Sequence, residues 1–263
     1  MDGDGELDAF VPTDYNNRVF TNDGSPLANQ FQDWSNPDTW SGKTSKDVAL
    51  ADIDGDGHTD AVVANAGSGS SAVWTNDNDG AANFGGSPSQ TLGASDTDHE
   101  EEALGDLDGD GDPDAVLGSD TGGSVWMNDG SGSFSKLTDV GSGHWLDVAL
   151  ADVDGDGDLD AVVARSRDGN NLVGNQVWEN DGTGTLTNTG QSLGDSWTSS
   201  VVLADVDGDG DPDAVFGNRN DPIRVWANDG SGDFGDAPAR ETVTTGWTVA
   251  LAAADVDGDG DTD

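Results

Sequence analysis

The sequence predicts an all-β fold in which short antiparallel strands recur as four-stranded sheets. Three observations carry this. A nine-residue phrase, Asp-x-Asp-Gly-Asp-Gly-x-x-Asp, starts at Asp52, Asp106, Asp152, Asp205 and Asp255, and a copy lacking its first position opens the chain with Asp2, Asp4 and Asp8. Successive full copies start 54, 46, 53 and 50 residues apart, so the repeating unit is about fifty residues long. No segment sustains a 3.6-residue apolar period between capping residues, as a helix would.

Each unit presents its elements in the same order. An apolar stretch such as Asp147 to Leu150 or Val201 to Leu203 leads into the acidic phrase, whose second position is always apolar (Ile53, Leu107, Val153, Val206, Val256), and this is the first strand. Ala-Val or Ala-Phe follows the phrase at Ala61, Ala115, Ala161, Ala214 and Ala9 and opens the second. The third is Val-Trp-x-Asn-Asp around Trp74, Trp126, Trp178 and Trp226, with Phe20 in that place in the first unit. It runs into turns at Gly130, Gly182 and Gly230, where Asp-Gly is a strong hairpin signal because both positions tolerate positive φ. The fourth strand is expected near Phe134, Leu186 or Phe234.

One such sheet cannot bury both faces alone, so neighbouring sheets must stack about an axis, giving a β-propeller of about five four-stranded blades. The whole of 1–263 then forms a single repeat domain, in which the C-terminal first strand and the N-terminal strands two to four complete one blade. Because loop positions three to nine occur at both ends, a segment cut from a longer repeat array, or one that joins head to tail, fits the same numbers.

With 53 acidic and 9 basic residues the formal charge is −44, and self-repulsion of that size calls for cations in the folded state. Nucleic acid and anionic membranes are poor partners for such a surface, so no nucleic-acid binding is expected. The longest apolar run, Val249 to Ala254, is far short of the roughly 20 residues of a spanning helix, so no membrane insertion is expected. No basic, apolar leader follows Met1, so any export signal is expected to be removed or to lie outside this stretch. Without cysteine there are no disulfides and no thiolate metal sites.

The phrase itself is an oxygen cage. Carboxylates at positions one, three, five and nine, with the carbonyl of position seven, converge if the glycines at four and six let the chain coil tightly. Many flexible oxygen ligands suit Ca²⁺ better than Mg²⁺, and the lack of Cys or paired His argues against zinc. An EF-hand would need an acid at position twelve, where Val63, Leu117, Val163 and Phe216 stand. The expected ligand sets are Asp52, Asp54, Asp56, His58 and Asp60; Asp106, Asp108, Asp110, Asp112 and Asp114; Asp152, Asp154, Asp156, Asp158 and Asp160; Asp205, Asp207, Asp209, Asp211 and Asp213; and Asp255, Asp257, Asp259, Asp261 and Asp263. Asp2, Asp4 and Asp8 form the partial set. About five Ca²⁺ per chain are expected, which leaves the protein strongly acidic. The competing reading is of acidic hairpin turns on a salt-adapted surface.

The run Ala-Asp-Val-Asp-Gly-Asp-Gly-Asp-Leu-Asp-Ala-Val-Val-Ala from Ala151 to Ala164, with Val-Trp-Glu-Asn-Asp-Gly-Thr-Gly from Val177 to Gly184, resembles the FG-GAP/VCBS repeat, the calcium-loop blade also found in the integrin α-subunit propeller. The resemblance covers nearly the whole chain. It implies a propeller with Ca²⁺ between the first and second strands, extracellular or at the cell surface, serving adhesion or ligand display. The excess of acid is similar to that of proteins from halophilic microbes.

In a propeller the calcium loops and Asn-Asp-Gly turns share one face. Most of the scarce cations fall on the opposite joins, among them Arg165, Arg167, Arg219 and Arg224, together with Trp145, Trp197 and Trp247. These seven are the candidate ligand-binding residues, suited to a glycan or a surface-protein ligand. Surface ion pairs and inter-blade packing are the plainer reading of the same residues. The strand-three tryptophans are read as core. His99 is read as a local ion pair with Glu100 to Glu102, and His58 as facing solvent. No nucleophile or acid–base pair stands out, so a binding protein is expected rather than an enzyme. The alternatives are a lectin-like module, the propeller of a polysaccharide lyase, and a subunit that self-associates head to tail through its oppositely charged faces.

Overall fold

The computed structural model describes residues 8–13, 17–22, 31–33, 44–66, 70–76, 84, 87–93, 98–166, 173–242, 246–255 and 262, and the regular structure among them is β, with no helix. Strands β1 (Ala9–Val11), β2 (Arg18–Asn22) and β3 (Phe31–Asp33) form a three-stranded sheet. The next sheet is β4 (Thr44–Ala51), β5 (Asp60–Ala66), β6 (Ser71–Trp74) and β7 (Gln90–Leu92), followed by β8 (His99–Gly105), β9 (Asp114–Ser119), β10 (Gly122–Asn128) and β11 (Phe134–Val140). Then come β12 (Trp145–Ala151), β13 (Asp160–Arg165), β14 (Gln176–Asn180) and β15 (Leu186–Asn188). The last sheet is β16 (Thr198–Ala204), β17 (Asp213–Asp221), β18 (Arg224–Trp226) and β19 (Arg240–Glu241), with β20 (Gly246–Trp247) paired to the outer end of β17. Apart from β20, the strands of each sheet neighbour one another in chain order, as short connections favour.

The acidic phrase is the hairpin loop between first and second strands. Its ninth residue opens the second strand opposite the last residue of the first, in the registers Ala51↔Asp60, Ala151↔Asp160 and Ala204↔Asp213.

The second strands β5, β9 and β13 are buried along their length because successive side chains serve different sheets. In β5, Ala61 and Val63 pack with Val19, Trp74 and Phe84, whereas Val62 packs with Ile53, Leu92, Leu117 and Phe134. Val162, Ala164 and Val177 likewise meet Val201, Phe216, Trp226 and Phe234. Burying each of the larger side chains contributes about 1.5–3 kcal/mol, and the small Ala-Val pairs let adjacent sheets approach closely.

The chain divides into two compact units. One comprises Met1–Leu104, Gly111–Leu117 and Trp126–Lys136, and the other Gly105–Asp110, Gly118–Val125 and Leu137–Asp263. The sheets β1–β3 and β4–β7 belong to the first, β12–β15 and β16–β20 to the second, and β8–β11 contributes residues to each.

One expected element is displaced. Phe134 and Leu186 begin the fourth strands of their sheets, but Phe234 does not, and that strand starts at Arg240. Phe234 is still buried. The ladder is postponed by Gly235, at φ 73°, and by Pro238, which has no N–H to donate.

Candidate functional site

The loop Asp152 to Asp160 shows how the phrase is wound. Asp152 accepts hydrogen bonds from the amides of Gly155 (2.8 Å) and Gly157 (3.1 Å), Asp154 from that of Asp156 (3.1 Å), and Asp156 from that of Asp158 (2.9 Å). Such a coil needs positive φ at both glycines, here 78° and 100°. As a result Asp152, Asp154 and Asp160 bring one carboxylate oxygen each within 4.8 Å of the others. The same positions cluster as Asp52, Asp54 and Asp60, as Asp106, Asp108 and Asp114, and as Asp205, Asp207 and Asp213. Position five is turned instead to the amide of position seven, as Asp56 is to His58 and Asp209 to Asp211.

The ninth residue is the fixed point of each cluster. Asp160 is buried, with one oxygen accepting from the amide of Val153 (2.9 Å) and the other from that of Asn180 (2.9 Å). Asp60 is held alike by Ile53 and Asn76, and Asp213 by Val206 and Asn228. Burial pushes the Asp60 and Asp160 carboxyls up to about 6, and the negative charges at positions three and five add to it, while the two amide donors oppose it. Asp213 is raised for the same reasons. A hard divalent cation fits this donor set: three crowded carboxylates on a loop with only oxygen ligands. The residues that would hold it are positions one, three and nine, and the ion would supply the positive charge that their mutual repulsion lacks.

Sequence reasoning missed the asparagine of Val-Trp-x-Asn-Asp, taking it as part of a turn. Besides the amide that holds position nine, its side chain reaches the preceding phrase: Asn128 donates to the carbonyl of Ile53, Asn180 to that of Leu107 and Asn228 to that of Val153, each at 2.8 Å. Thus one residue both positions a loop ligand and ties that loop to the one before it. The recurrence of Asn at a fixed place after Trp was the available signal. The following glycine has a second role besides turning the chain. A Cβ on Gly182 would lie 2.6 Å from Asp158 and one on Gly230 2.4 Å from Asp211, so glycine makes room for the seventh side chain. Gln90 and Gln191 were missed as well. Each pairs its side-chain amide with the backbone of the following sheet's turn, Gln90 with Phe134 and Gln191 with Gly232 and Phe234.

Of the other expected metal ligands, Asp2, Asp4, Asp257, Asp259, Asp261 and Asp263 lie outside the described residues, as does Arg167. Asp8 and Asp255 are described and join no cluster of three among the described residues.

The candidate ligand-binding residues separate into two groups. Trp145 was expected on a recognition face, yet it is completely buried, its ring tilted at 50° to that of Trp178 with centroids 5.9 Å apart, and it fills space that Gly123 leaves open. Arg165 is also buried, donating to the carbonyl of Ser142 at 2.7 Å. Arg224 pairs with Glu241 at 2.8 Å and bonds Ser196. In contrast, Arg219 brings Trp197 and Trp247 together, with its guanidinium carbon 5.0 Å and 5.5 Å from the two ring centres. His99, read from the sequence as a local ion pair, also has a partner in another strand. It is buried in β8, and its Nδ1 faces the Ser71 hydroxyl at 2.7 Å and accepts from the Ser71 amide.

Together the fold and site define an all-β repeat protein in which four first-to-second-strand loops among the described residues bear an aspartate cluster able to hold a metal ion. A model of the FG-GAP-like repeat matches residues 1–63, 106–163, 152–216 and 205–263, and the chain belongs to that family. A comparison with curated proteins finds no match. Among solved structures, one similar chain is a lectin from Agrocybe aegerita that recognises non-reducing terminal N-acetylglucosamine, at 22% identity and a TM-score of 0.57, covering 97% of this chain and 69% of the lectin chain. BBS1N, solved in complex with ARL6DN, is similar at 12% identity and a TM-score of 0.57, covering 94% of this chain and 67% of its own. At such identities the likeness is one of fold.

Proposed function

We propose that the chain is a calcium-binding β-propeller, external to the cell, that recognises a ligand and does not transform one. The observation that carries this is the coupling of metal ligand to architecture: the aspartate at position nine is held by an asparagine whose side chain also grips the preceding loop. Calcium at positions one, three and nine relieves the repulsion of the loop and stiffens the seam between sheets, leaving the opposite joins free to vary as a recognition surface. Five antiparallel sheets in one family of repeats support the propeller, and a lectin and a partner-bound protein of similar fold support binding as the task. Adhesion to a glycan or to a surface protein is the role that fits.

The test is a binding screen of the calcium-loaded chain against glycans and surface proteins, repeated after chelation. Saturable binding without consumption of the ligand, lost when calcium is removed, is expected. Unsaturated sugar ends released from an acidic polysaccharide would instead show a lyase.

A further inference from the structure

We infer that Arg219 with Trp197 and Trp247 forms a binding site for a carboxylated saccharide, one bearing uronic acid units. The inference rests on the ligand-recognition reading above and names where, and for what chemistry, recognition occurs.

The site is built by an irregular end of β17. The strand pairs with β18 only as far as Phe216↔Arg224, and its outer end takes β20 as partner, with Arg219 opposite Trp247 and Asp221 opposite Gly246. Between these pairs the register shifts at Asn220, which is exposed and sits at φ 62°, a left-handed conformation disfavoured outside glycine. Arg219 is pinned through its backbone amide, which donates to the carbonyl of Trp197 at 2.8 Å. Thr248 is tied in turn to the carbonyl of Asn218. Both indoles are therefore held against one guanidinium by backbone bonds on either side of it.

Two features point to a ligand. First, Trp247 is 68% exposed, while the tryptophan that opens β12, Trp145, is completely covered. An indole face open to water offers a stacking surface for the C–H face of a pyranose ring. Second, the Arg219 guanidinium makes no ion pair or side-chain hydrogen bond among the described residues, although the chain carries 53 acidic side chains. Arg224, in the same sheet, has Glu241, and Lys46 has Glu100. Stacking on indoles orients a guanidinium but leaves its in-plane N–H fork unspent, and that fork matches a carboxylate. A carboxylate carried on a pyranose uses both parts at once: the sugar face lies on Trp247 and the acid meets Arg219. A neutral sugar would use only the indole, and an acidic peptide only the guanidinium. On a surface of net charge −44, an unpaired arginine also marks where an anion is least repelled.

The experiment titrates trigalacturonate, its methyl-esterified neutral counterpart and an oligoglutamate into the calcium-loaded chain, by calorimetry and tryptophan fluorescence. Trigalacturonate is expected to saturate one site, with the neutral ester and the peptide each binding about tenfold or more weakly. Arg219→Gln and Trp247→Ala should each weaken the acid about tenfold or more while melting as the wild type does. Arg219→Lys should restore only part of the loss, and Arg240→Gln, at an exposed arginine of β19, should change binding less than about twofold. Uronate binding that Arg219→Gln leaves unchanged overturns the site, and equal affinity for the neutral ester or the peptide overturns the ligand class. A chain that binds another glycan but not trigalacturonate overturns this inference alone. One that binds nothing in the wider screen overturns the recognition reading too.

Discussion

Replacing Asn180 by alanine is the most direct probe of the ties that order the loops. The side chain donates to the carbonyls of Leu107 at 2.8 Å and Leu159 at 3.1 Å, and its oxygen accepts from the amide of Gly184 at 3.1 Å. At about 1 kcal/mol net per hydrogen bond, losing all three costs about 3 kcal/mol. The Leu107 carbonyl keeps the Gly184 amide as a partner at 3.0 Å, so the cost should not rise to that of a fully orphaned group. Urea unfolding of the calcium-saturated protein, followed by tryptophan fluorescence, should show the midpoint falling by about 1 M for a slope of about 3 kcal/mol per molar. Alanine retains the backbone amide that holds Asp160, so the calcium stoichiometry should stay that of the wild type. Asn188→Ala is the control. Among the described residues that side chain accepts only from Gly190, at the surface, and its loss should cost no more than about 1 kcal/mol. If Asn180→Ala costs less than about 1 kcal/mol, the asparagine is not a structural tie.

Three further outcomes are expected. Asp160→Ala should lower the calcium count by one ion per chain, measured by equilibrium dialysis, because it deletes the buried member of one cluster. Gly123→Ala would place a methyl 2.4 Å from the Trp145 ring and should cost about 1–3 kcal/mol in urea unfolding, the price of overpacking. Glu102 is buried in β8 where β4 and β12 carry Val48 and Val148, and burial, with Asp47 nearby, raises its pKa well above 4.5. Below the unfolded value it is protonated in both states. As pH rises from there the unfolded chain ionises first, so the wild type loses stability until the folded pKa is passed. The stability difference between Glu102→Gln and wild type should therefore grow in favour of the variant from about pH 4.5 upward, by unfolding at a series of pH values.

Strand order and loop position were legible because the nine-residue phrase recurs with its glycines, and a first-to-second-strand hairpin reproduces that spacing with Ala-Val following the copies at Asp52, Asp106, Asp152 and Asp205. The aspartates at positions one, three and nine were legible as a set for the same reason, whereas the turning of position five to the amide of position seven depends on backbone geometry that no spacing reveals. The asparagine tie was hidden because Asn-Asp-Gly is also an ordinary turn sequence, and its partner, the Leu107 carbonyl, lies 73 residues away. Trp145 and Trp247 look alike in sequence, each a tryptophan shortly before an apolar stretch and an acidic phrase, yet one is core and the other exposed. The difference lies in what packs over them: Gly123, Gly141 and Trp178 cover Trp145.

Calcium uptake measured on a metal-stripped sample, paired with thermal melting before and after reloading, tests the central claim most directly. Four ions at the described clusters, with any further ion at the terminal phrases, and a melting temperature that rises with calcium concentration are predicted. A stripped protein that melts unchanged when calcium is restored, and binds at most one ion, would contradict it.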